Sequence, residues 1–180
     1  MELKGSRTEQ NLMAAFSGES MARNKYLFFA EKAKQEGNTE VAELFEQMAQ
    51  NEGIHGKLLY QRLKGVGSSS ANLQDAIQGE YGEWSSMYPS FADIAREEGF
   101  EAIGTLFDQI AKIEKVHAER FRRFAQLLEQ GKLFVSDVDT AWICLNCGHI
   151  HRGKQAPAKC PVCQHSQGYF IRLELSPYEK

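Results

Sequence analysis

A stretch of 30 residues occurs twice in this chain, and the repeat constrains the fold more than any other feature. Residues 26–55 align with residues 88–117 at an offset of 62, and 12 of the 30 positions are identical. The identical positions include the pairs Gly37/Gly99, Phe45/Phe107, Glu52/Glu114 and His55/His117. Self-similarity at a fixed period indicates one supersecondary unit that is used more than once. The repeat therefore predicts two related structural halves.

Four segments of the first 130 residues carry apolar side chains at the spacing of an α-helix. Helix breakers separate them: Gly37, the glycine- and serine-rich residues 64–70, Gly99 and Gly131. Four amphipathic helices of this kind pack as a four-helix bundle. The later part of the chain holds three of the four prolines and short β-type runs. We predict a mainly α fold, with a four-helix bundle over 1–134 and a small β-rich domain over 135–180.

A glutamate interrupts the apolar stripe of each predicted helix. Glutamate is almost never fully buried without a partner, so one in every helix requires a common cause. A histidine follows two of these glutamates by three residues, which places both side chains on one helix face. Buried carboxylates repel one another and lose hydration, and two bound cations would remove that cost. The set matches a ferritin-like di-metal site, which iron or manganese would suit: Glu19, Glu52, His55, Glu80, Glu114 and His117.

The third predicted helix differs from the first in two respects. Glu83 lies one helical turn after Glu80 and has no acidic counterpart in the first half, so it is either a fifth carboxylate ligand or a solvated side chain. Glu80 and Tyr88 are eight residues apart, whereas Glu19 and Tyr26 are seven apart. One extra residue inside a helix predicts a π-bulge. The two tyrosines are either packing residues or groups that lie beside the metals.

All four cysteines lie in the last 37 residues, in two Cys-x-x-Cys pairs: Cys144, Cys147, Cys160 and Cys163. This spacing predicts one tetrahedral metal site with four thiolates. In a cytoplasmic chain it favours a metal over disulfides. The site is either a structural zinc ribbon or a mononuclear iron that cycles by one electron, and the spacing fits both. We interpret the nearby histidines as surface residues: His149, His151 and His165.

Charge and hydropathy exclude several classes of protein. The 21 Lys+Arg and 24 Asp+Glu give a net charge of −3, whereas a nucleic-acid binder needs a basic face. No apolar run reaches the roughly 18 residues of a membrane span. The N-terminal stretch MELKGSRTEQNLMAAF lacks the apolar core of a signal peptide. We therefore expect a cytoplasmic protein that binds neither nucleic acid nor membranes.

Both metal motifs together give the chain a resemblance to the rubrerythrin family along nearly its whole length. The stretches that carry it are KGSRTEQNLMAAFSGESMARNKY, GEYGEWSSMYPSFADIAREEGF, IEKVHAERF and the two cysteine pairs, the second of which reads CPVC. The resemblance implies two non-haem iron ions in the bundle and one iron in a rubredoxin-like domain. It also implies a peroxidase that protects against oxidative stress by reducing hydrogen peroxide to water. Its electrons would come from a rubredoxin or an NAD(P)H-dependent reductase.

The resemblance also implies roles for individual residues. Glu83 and His55 would exchange as ligands of one iron when the redox state changes. The remaining di-iron ligands would be Glu19, Glu52, Glu80, Glu114 and His117. Two alternatives stay open. One is a ferroxidase or iron-storage protein whose cysteine site holds structural zinc, and the other is a redox sensor without catalytic turnover.

The connection between the second and third predicted helices is short for this family. With helix ends near Lys64 and Leu73, a crossover would rise about 24 Å at the helical rise per residue. Nine Cα–Cα steps reach about 30 Å when fully extended, so the connection would be almost taut. A homodimer that exchanges helices one and two between chains would relieve it. We favour that swapped arrangement.

Overall fold

The computed structural model describes residues 2–63 and 66–176, and helices dominate them. The helical elements are α1 (Arg7–Gln35), α2 (Thr39–Leu63), α3 (Ser69–Gly82), a π-helical segment (Glu83–Met87), α4 (Tyr88–Glu97) and α5 (Glu101–Glu129). The strands are β1 (Val135–Cys144), β2 (Ile150–Gln155) and β3 (Phe170–Arg172). The prediction of a mainly α fold followed by a small β-rich region is confirmed.

The chain divides into two compact units between Gly67 and Ser68. This division separates the two helical halves and so falls inside the region that we predicted as the first domain. The boundary between residues 134 and 135 stays a prediction. Among the described helices, none combines the length and the apolar character that a bilayer crossing requires.

The first unit is a hairpin of α1 and α2. Ser6 caps α1, because its side chain accepts a hydrogen bond of 3.1 Å from the Glu9 backbone N–H. Gly37 ends that helix with a φ of 78°, a left-handed conformation that glycine adopts without strain. The hairpin buries mainly small side chains, and Ala30, Ala33 and Ala42 form a cluster against Phe45.

The second hairpin consists of α3, the π-helical segment and α4, which together pack against α5. It begins earlier than the sequence predicts. The expected start was near Leu73, but α3 starts at Ser69 because the Ser68 side chain accepts a hydrogen bond of 3.2 Å from the Ala71 N–H. The predicted π-bulge is confirmed: the helix passes through a π-helical segment, in which the Tyr88 N–H donates to the Glu83 carbonyl. Pro89 follows at the start of α4. The extra residue of this half is therefore absorbed inside the helix.

Equivalent aromatic rings pack in equivalent ways in the two hairpins. Tyr26 lies 6.1 Å from Phe45 at 32°, and Tyr88 lies 5.9 Å from Phe107 at 33° (ring centroids and interplanar angles). Phe29–Phe45 and Phe91–Phe107 likewise form edge contacts at 5.4 and 5.8 Å. The sequence repeat is thus a structural repeat.

The strands form one antiparallel sheet in the order β2-β1-β3. The predicted β-type runs FVSDV, TAWIC and GYFIRLEL contribute to β1 and β3. Trp142 is fully buried, and its indole N–H donates a hydrogen bond of 2.8 Å to the Gly153 carbonyl. The guanidinium of Arg172 lies over the same ring at 5.3 Å. This core includes Cys144 and Cys160 and so fixes the first cysteine of each pair.

Candidate metal centres

The first hairpin brings three predicted metal ligands together. Glu19 of α1 meets Glu52 and His55 of α2, with one donor atom from each within 4.8 Å of the others. His55 Nδ1 lies 2.8 Å from Glu52 Oε2 and 3.7 Å from Glu19 Oε2. The glutamates are half-buried and the histidine is exposed. This hairpin therefore carries two of the four predicted glutamate ligands and one of the two predicted histidine ligands.

The second hairpin repeats this triad almost atom for atom. Glu80 of α3 meets Glu114 and His117 of α5 under the same 4.8 Å limit. His117 Nδ1 lies 2.6 Å from Glu114 Oε2 and 3.8 Å from Glu80 Oε2. Burial also follows the first triad, with two half-buried carboxylates and an exposed imidazole. The Glu-x-x-His spacing therefore produces the same local geometry twice.

Paired carboxylates make both triads suited to a cation. The pKa of Glu19 is raised because its carboxyl shares a hydrogen bond with Glu52, whose own pKa is lowered by that bond and by one with His55. Burial, followed by the hydrogen bond with Glu114, raises the pKa of Glu80. In each pair one carboxyl therefore takes up a proton more readily than an isolated glutamate, because two adjacent negative charges repel. A divalent cation could take that proton's place and satisfy the same oxygens.

Glu83 lies outside the second triad but close to it. Its charge contributes to the raised pKa of Glu80 and, after burial, to the raised pKa of Tyr88. It is the first residue of the π-helical segment. Its assignment as a ligand stays a prediction. Tyr88 faces the same carboxylates, because Glu114 and Glu80 also raise its pKa.

The four cysteines converge as the spacing predicts. Their sulfur atoms lie within 4.8 Å of one another, with Cys144–Cys163 at 3.7 Å and Cys147–Cys160 at 3.6 Å. A tetrahedral metal with metal–sulfur bonds of about 2.3 Å separates its sulfur ligands by about 3.8 Å. A disulfide would need about 2.05 Å. The cluster therefore has the dimensions of a tetrathiolate metal site.

Hydrogen bonds to sulfur were not predicted from the sequence. The backbone N–H of His165, with help from neighbouring thiols and the Asn146 side chain, lowers the pKa of Cys163 to about 5 against the effect of burial. The His149 N–H acts in the same sense on Cys147, but burial and the other three thiols raise the pKa of Cys147 to about 12. Both histidine side chains are half-buried. Each of these histidines lies two residues after a cysteine, and this spacing is the sequence signal that could have predicted the hydrogen bonds.

Comparison with known proteins places both regions in one family. The rubrerythrin family model matches residues 10–125, and the model of the rubrerythrin rubredoxin-like domain matches residues 142–171. Rubrerythrin of Nitratidesulfovibrio vulgaris is 41% identical over 97% of this chain and 98% of its own. Rubrerythrin of Porphyromonas gingivalis is 41% identical over 97% of this chain and 94% of its own. A solved mixed-valence nigerythrin chain is 33% identical over 95% of this chain and 88% of that one, at a TM-score of 0.35.

The donor sets agree with this result. The glutamate and histidine triads of the helical region fit a di-iron centre, and the four-cysteine cluster fits a rubredoxin-type iron site. The family models account for the helical and the β-rich parts separately, as ferritin-like and rubredoxin-like regions. The chain belongs to the rubrerythrin family.

Proposed function

We propose that this protein is a non-haem di-iron peroxidase that reduces hydrogen peroxide to water. Membership of the family makes it an iron-dependent oxidoreductase of oxidative-stress protection, and the proposal names the reaction. The observation that carries it is the presence, in one chain, of two matching glutamate–glutamate–histidine triads and a tetrathiolate cluster. The triads suit two-electron chemistry on a small oxidant, and the thiolates suit the supply of single electrons.

Bound ferrous ions would supply two electrons and the Lewis acidity that weakens the O–O bond. One hydrogen peroxide then takes up two electrons and two protons and leaves as two molecules of water. The paired carboxylates would hold these ions and balance their charge. Tyr88, whose pKa burial raises, keeps its phenolic proton at neutral pH and can donate it as a hydrogen bond. We propose the same task for Tyr26.

The rubredoxin-like domain serves electron transfer. We propose that a rubredoxin or an NAD(P)H-dependent reductase reduces it and that its iron passes electrons to the di-iron centre. We also propose a cytoplasmic location, since the four cysteines are free thiols placed for a metal rather than disulfides. The two family-model ranges support a functional boundary between residues 134 and 135.

A visible spectrum tests the reaction and the relay together. The protein is isolated aerobically, reduced without oxygen, and then given stoichiometric hydrogen peroxide. We expect a red ferric-thiolate spectrum that bleaches on reduction and returns with peroxide. A cysteine site that holds zinc and stays colourless would remove the relay. Such a result, together with iron uptake driven by oxygen, would instead favour an iron-storage protein with a structural zinc ribbon.

We propose that Glu83 and His55 exchange as ligands of one iron. Five carboxylates nearly balance two ferric ions, whereas two ferrous ions require less negative charge, which neutral His55 in place of Glu83 would satisfy. Replacing Glu83 by Ala should lower peroxide turnover by at least tenfold and leave most of the iron bound, because the two triads remain. Iron content and turnover are measured on the same sample. Full turnover in E83A would refute the exchange.

We propose a homodimer in which α1 and α2 of one chain complete the site of the other. A site built within one chain would require a crossover between Leu63 and Ser69. The rise from His55 to Leu63 and from Ser69 to Glu80 sums to about 28 Å, while six Cα–Cα steps reach only about 21 Å. Each α1–α2 hairpin also exposes large apolar side chains, among them Met21 at 63%, Phe28 at 65% and Leu44 at 58%. Helix exchange covers such surfaces and removes the crossover.

A further inference from the structure

The π-helical segment that carries Glu83 contacts α5 through the next side chain, Trp84. The Lys115 ammonium lies over the Trp84 ring, 5.4 Å from its centroid. Tyr81 packs against the same ring edge-on, at 5.4 Å and 84°. A cation over an indole face is attracted by the ring quadrupole. Lys115 also directly follows Glu114, so the contact joins the two backbone positions next to predicted metal ligands.

The orientation of Trp84 is not set by its polar atom. Its indole Nε1 is buried, and no hydrogen-bond partner for it is present among residues 2–63 and 66–176. A buried donor without an acceptor is unfavourable, so other contacts must hold the ring in this position. The contacts that the structure shows are the cation on its face and the edge of Tyr81. The Trp84 ring is therefore held in place by contacts with its face and its edge.

The first hairpin uses the equivalent positions differently. At the offsets of the repeat, Trp84 corresponds to Arg23 and Lys115 corresponds to Gly53. A Cβ at Gly53 would lie 3.4 Å from the Arg23 Nε, so the arginine side chain lies across the glycine. That hairpin has a continuous α-helix at this point and carries Ala22 where the second half has Glu83. The aromatic–cation contact thus occurs in the half that has the π turn and the extra carboxylate.

We propose that Trp84 and Lys115 are positioning residues that hold the π-helical segment against α5 and thereby set the reach of Glu83. The role assigned to Glu83 rests on the proposed function, whereas the mechanical part does not. A π-helical turn is a rare local departure from α-helical hydrogen bonding, so a contact from outside the helix is needed to fix it. Lys115 provides that contact from the turn of α5 that carries Glu114. The segment and the second triad then move as one body.

Hydrogen exchange of the backbone amides in residues 83–88 tests this directly. The full-length, iron-loaded protein is compared with Lys115→Met and Lys115→Arg. Loss of an exposed cation–π contact should speed exchange in this segment about two- to fivefold. Arginine keeps the cation over the ring and should restore the slow rate. Arg23→Met is the matched control, because it removes a cation from the equivalent place in the first hairpin, and it should leave residues 83–88 unchanged.

Two further measurements separate positioning from general stability. The electron paramagnetic resonance signal of the one-electron-reduced di-iron centre should shift in K115M and return in K115R, since Glu83 lies next to the released ring. Trp84→Phe keeps an aromatic face and removes the unpaired N–H. We expect its thermal midpoint to equal or exceed that of the wild type, and exchange in the segment to rise less than in K115M.

Several outcomes would overturn the positioning role, and one would overturn the proposed reaction alone. Equal exchange in wild type and K115M would show that the contact does not hold the segment. Faster exchange in every helix, with a lower thermal midpoint, would show a role in global stability only. Unchanged exchange in W84F, alongside faster exchange in K115M, would show that Lys115 acts without the Trp84 ring. If exchange responds as expected but peroxide turnover is absent in the wild type, the proposed reaction fails while the positioning role stands.

Discussion

At the scale of single residues, the two cysteine loops differ at the residue that follows the second cysteine. Gly148 has a φ of 77° and Gln164 a φ of 60°. Among the described residues, Gln164 alone combines a side chain with a positive φ. The left-handed region costs a side-chain-bearing residue about 1–2 kcal/mol. The second loop therefore stores strain that the first avoids.

Replacing Gln164 by Gly should stabilise the rubredoxin-like domain by about 1 kcal/mol, because relief of strain exceeds the added chain entropy. The matched change Gly148→Gln should destabilise it by about 1–2 kcal/mol. Strain alone would be its cause, since nothing lies within 4 Å of a Cβ at that position. The midpoint temperature at which the ferric-thiolate colour is lost measures both effects. Equal midpoints for the two variants would contradict the strain argument.

The raised pKa of Glu80 predicts a pH dependence for the metal-free protein. A carboxyl whose pKa rises on folding stabilises the fold while it is protonated, and that contribution disappears as pH rises through the folded-state pKa. Glu80→Gln should therefore be more stable than the wild type at neutral pH. The difference should shrink as pH falls towards the ordinary glutamate pKa of 4.5. Urea unfolding across this range measures it, with Glu43→Gln on the exposed surface as the control. A difference that does not vary with pH would refute the assignment.

At the scale of elements, the π-helical segment reconciles an unequal sequence spacing with equal packing. Eight residues of continuous α-helix would turn Tyr88 by about 80° away from the direction of Glu80, at 3.6 residues per turn. Instead, Tyr88 packs on Phe107 as Tyr26 packs on Phe45. The wider turn absorbs the extra residue and returns the helix to register.

Deleting Ser85 should convert the segment into continuous α-helix with the seven-residue spacing of the first hairpin. We expect a higher thermal midpoint for the metal-free protein, because regular hydrogen bonding replaces a π turn. We also expect lower peroxide turnover, because π turns are frequent at functional sites and this one begins at Glu83. Calorimetry and a peroxide assay on one preparation measure the two effects. Unchanged turnover would mean that the π turn has no part in the reaction.

Most of these elements could be predicted because their signals are local. The Glu-x-x-His spacing determined each triad, and a one-residue offset in the repeat was sufficient to predict the π turn. The start of α3 was missed because the serines of residues 64–70 read as a linker, although Ser68 caps a helix. The hydrogen bonds to Cys147 and Cys163 were missed because they come from backbone N–H groups, which every residue except proline carries.

At the scale of the whole molecule, the connection between α2 and α3 decides how the bundle can assemble. It was expected to be almost taut, and the observed helix ends shorten it further, since α3 starts at Ser69. The proposed exchange of α1 and α2 between two chains follows from this length. The length can be altered without touching any metal ligand.

Inserting ten glycine and serine residues between Gly67 and Ser68 should allow each chain to close its own bundle. Sixteen Cα–Cα steps reach about 55 Å, well beyond the crossover of about 28 Å. We expect light scattering to show a one-chain species that retains both kinds of metal site. An insertion of the same ten residues at the N-terminus is the control. A wild-type protein that is already a one-chain species with both kinds of metal site would contradict the swapped arrangement.

The placement of each triad within one hairpin has a genetic consequence. A chain with Glu52→Gln would be damaged only in its first triad, and a chain with Glu114→Gln only in its second. In an exchanged dimer, each metal centre combines the first triad of one chain with the second triad of the other. A mixed dimer of these two defective proteins would therefore contain one centre with no damage and one with both. Two inactive alleles expressed together should restore about a quarter of the wild-type activity, and chains that each close their own bundle should restore none.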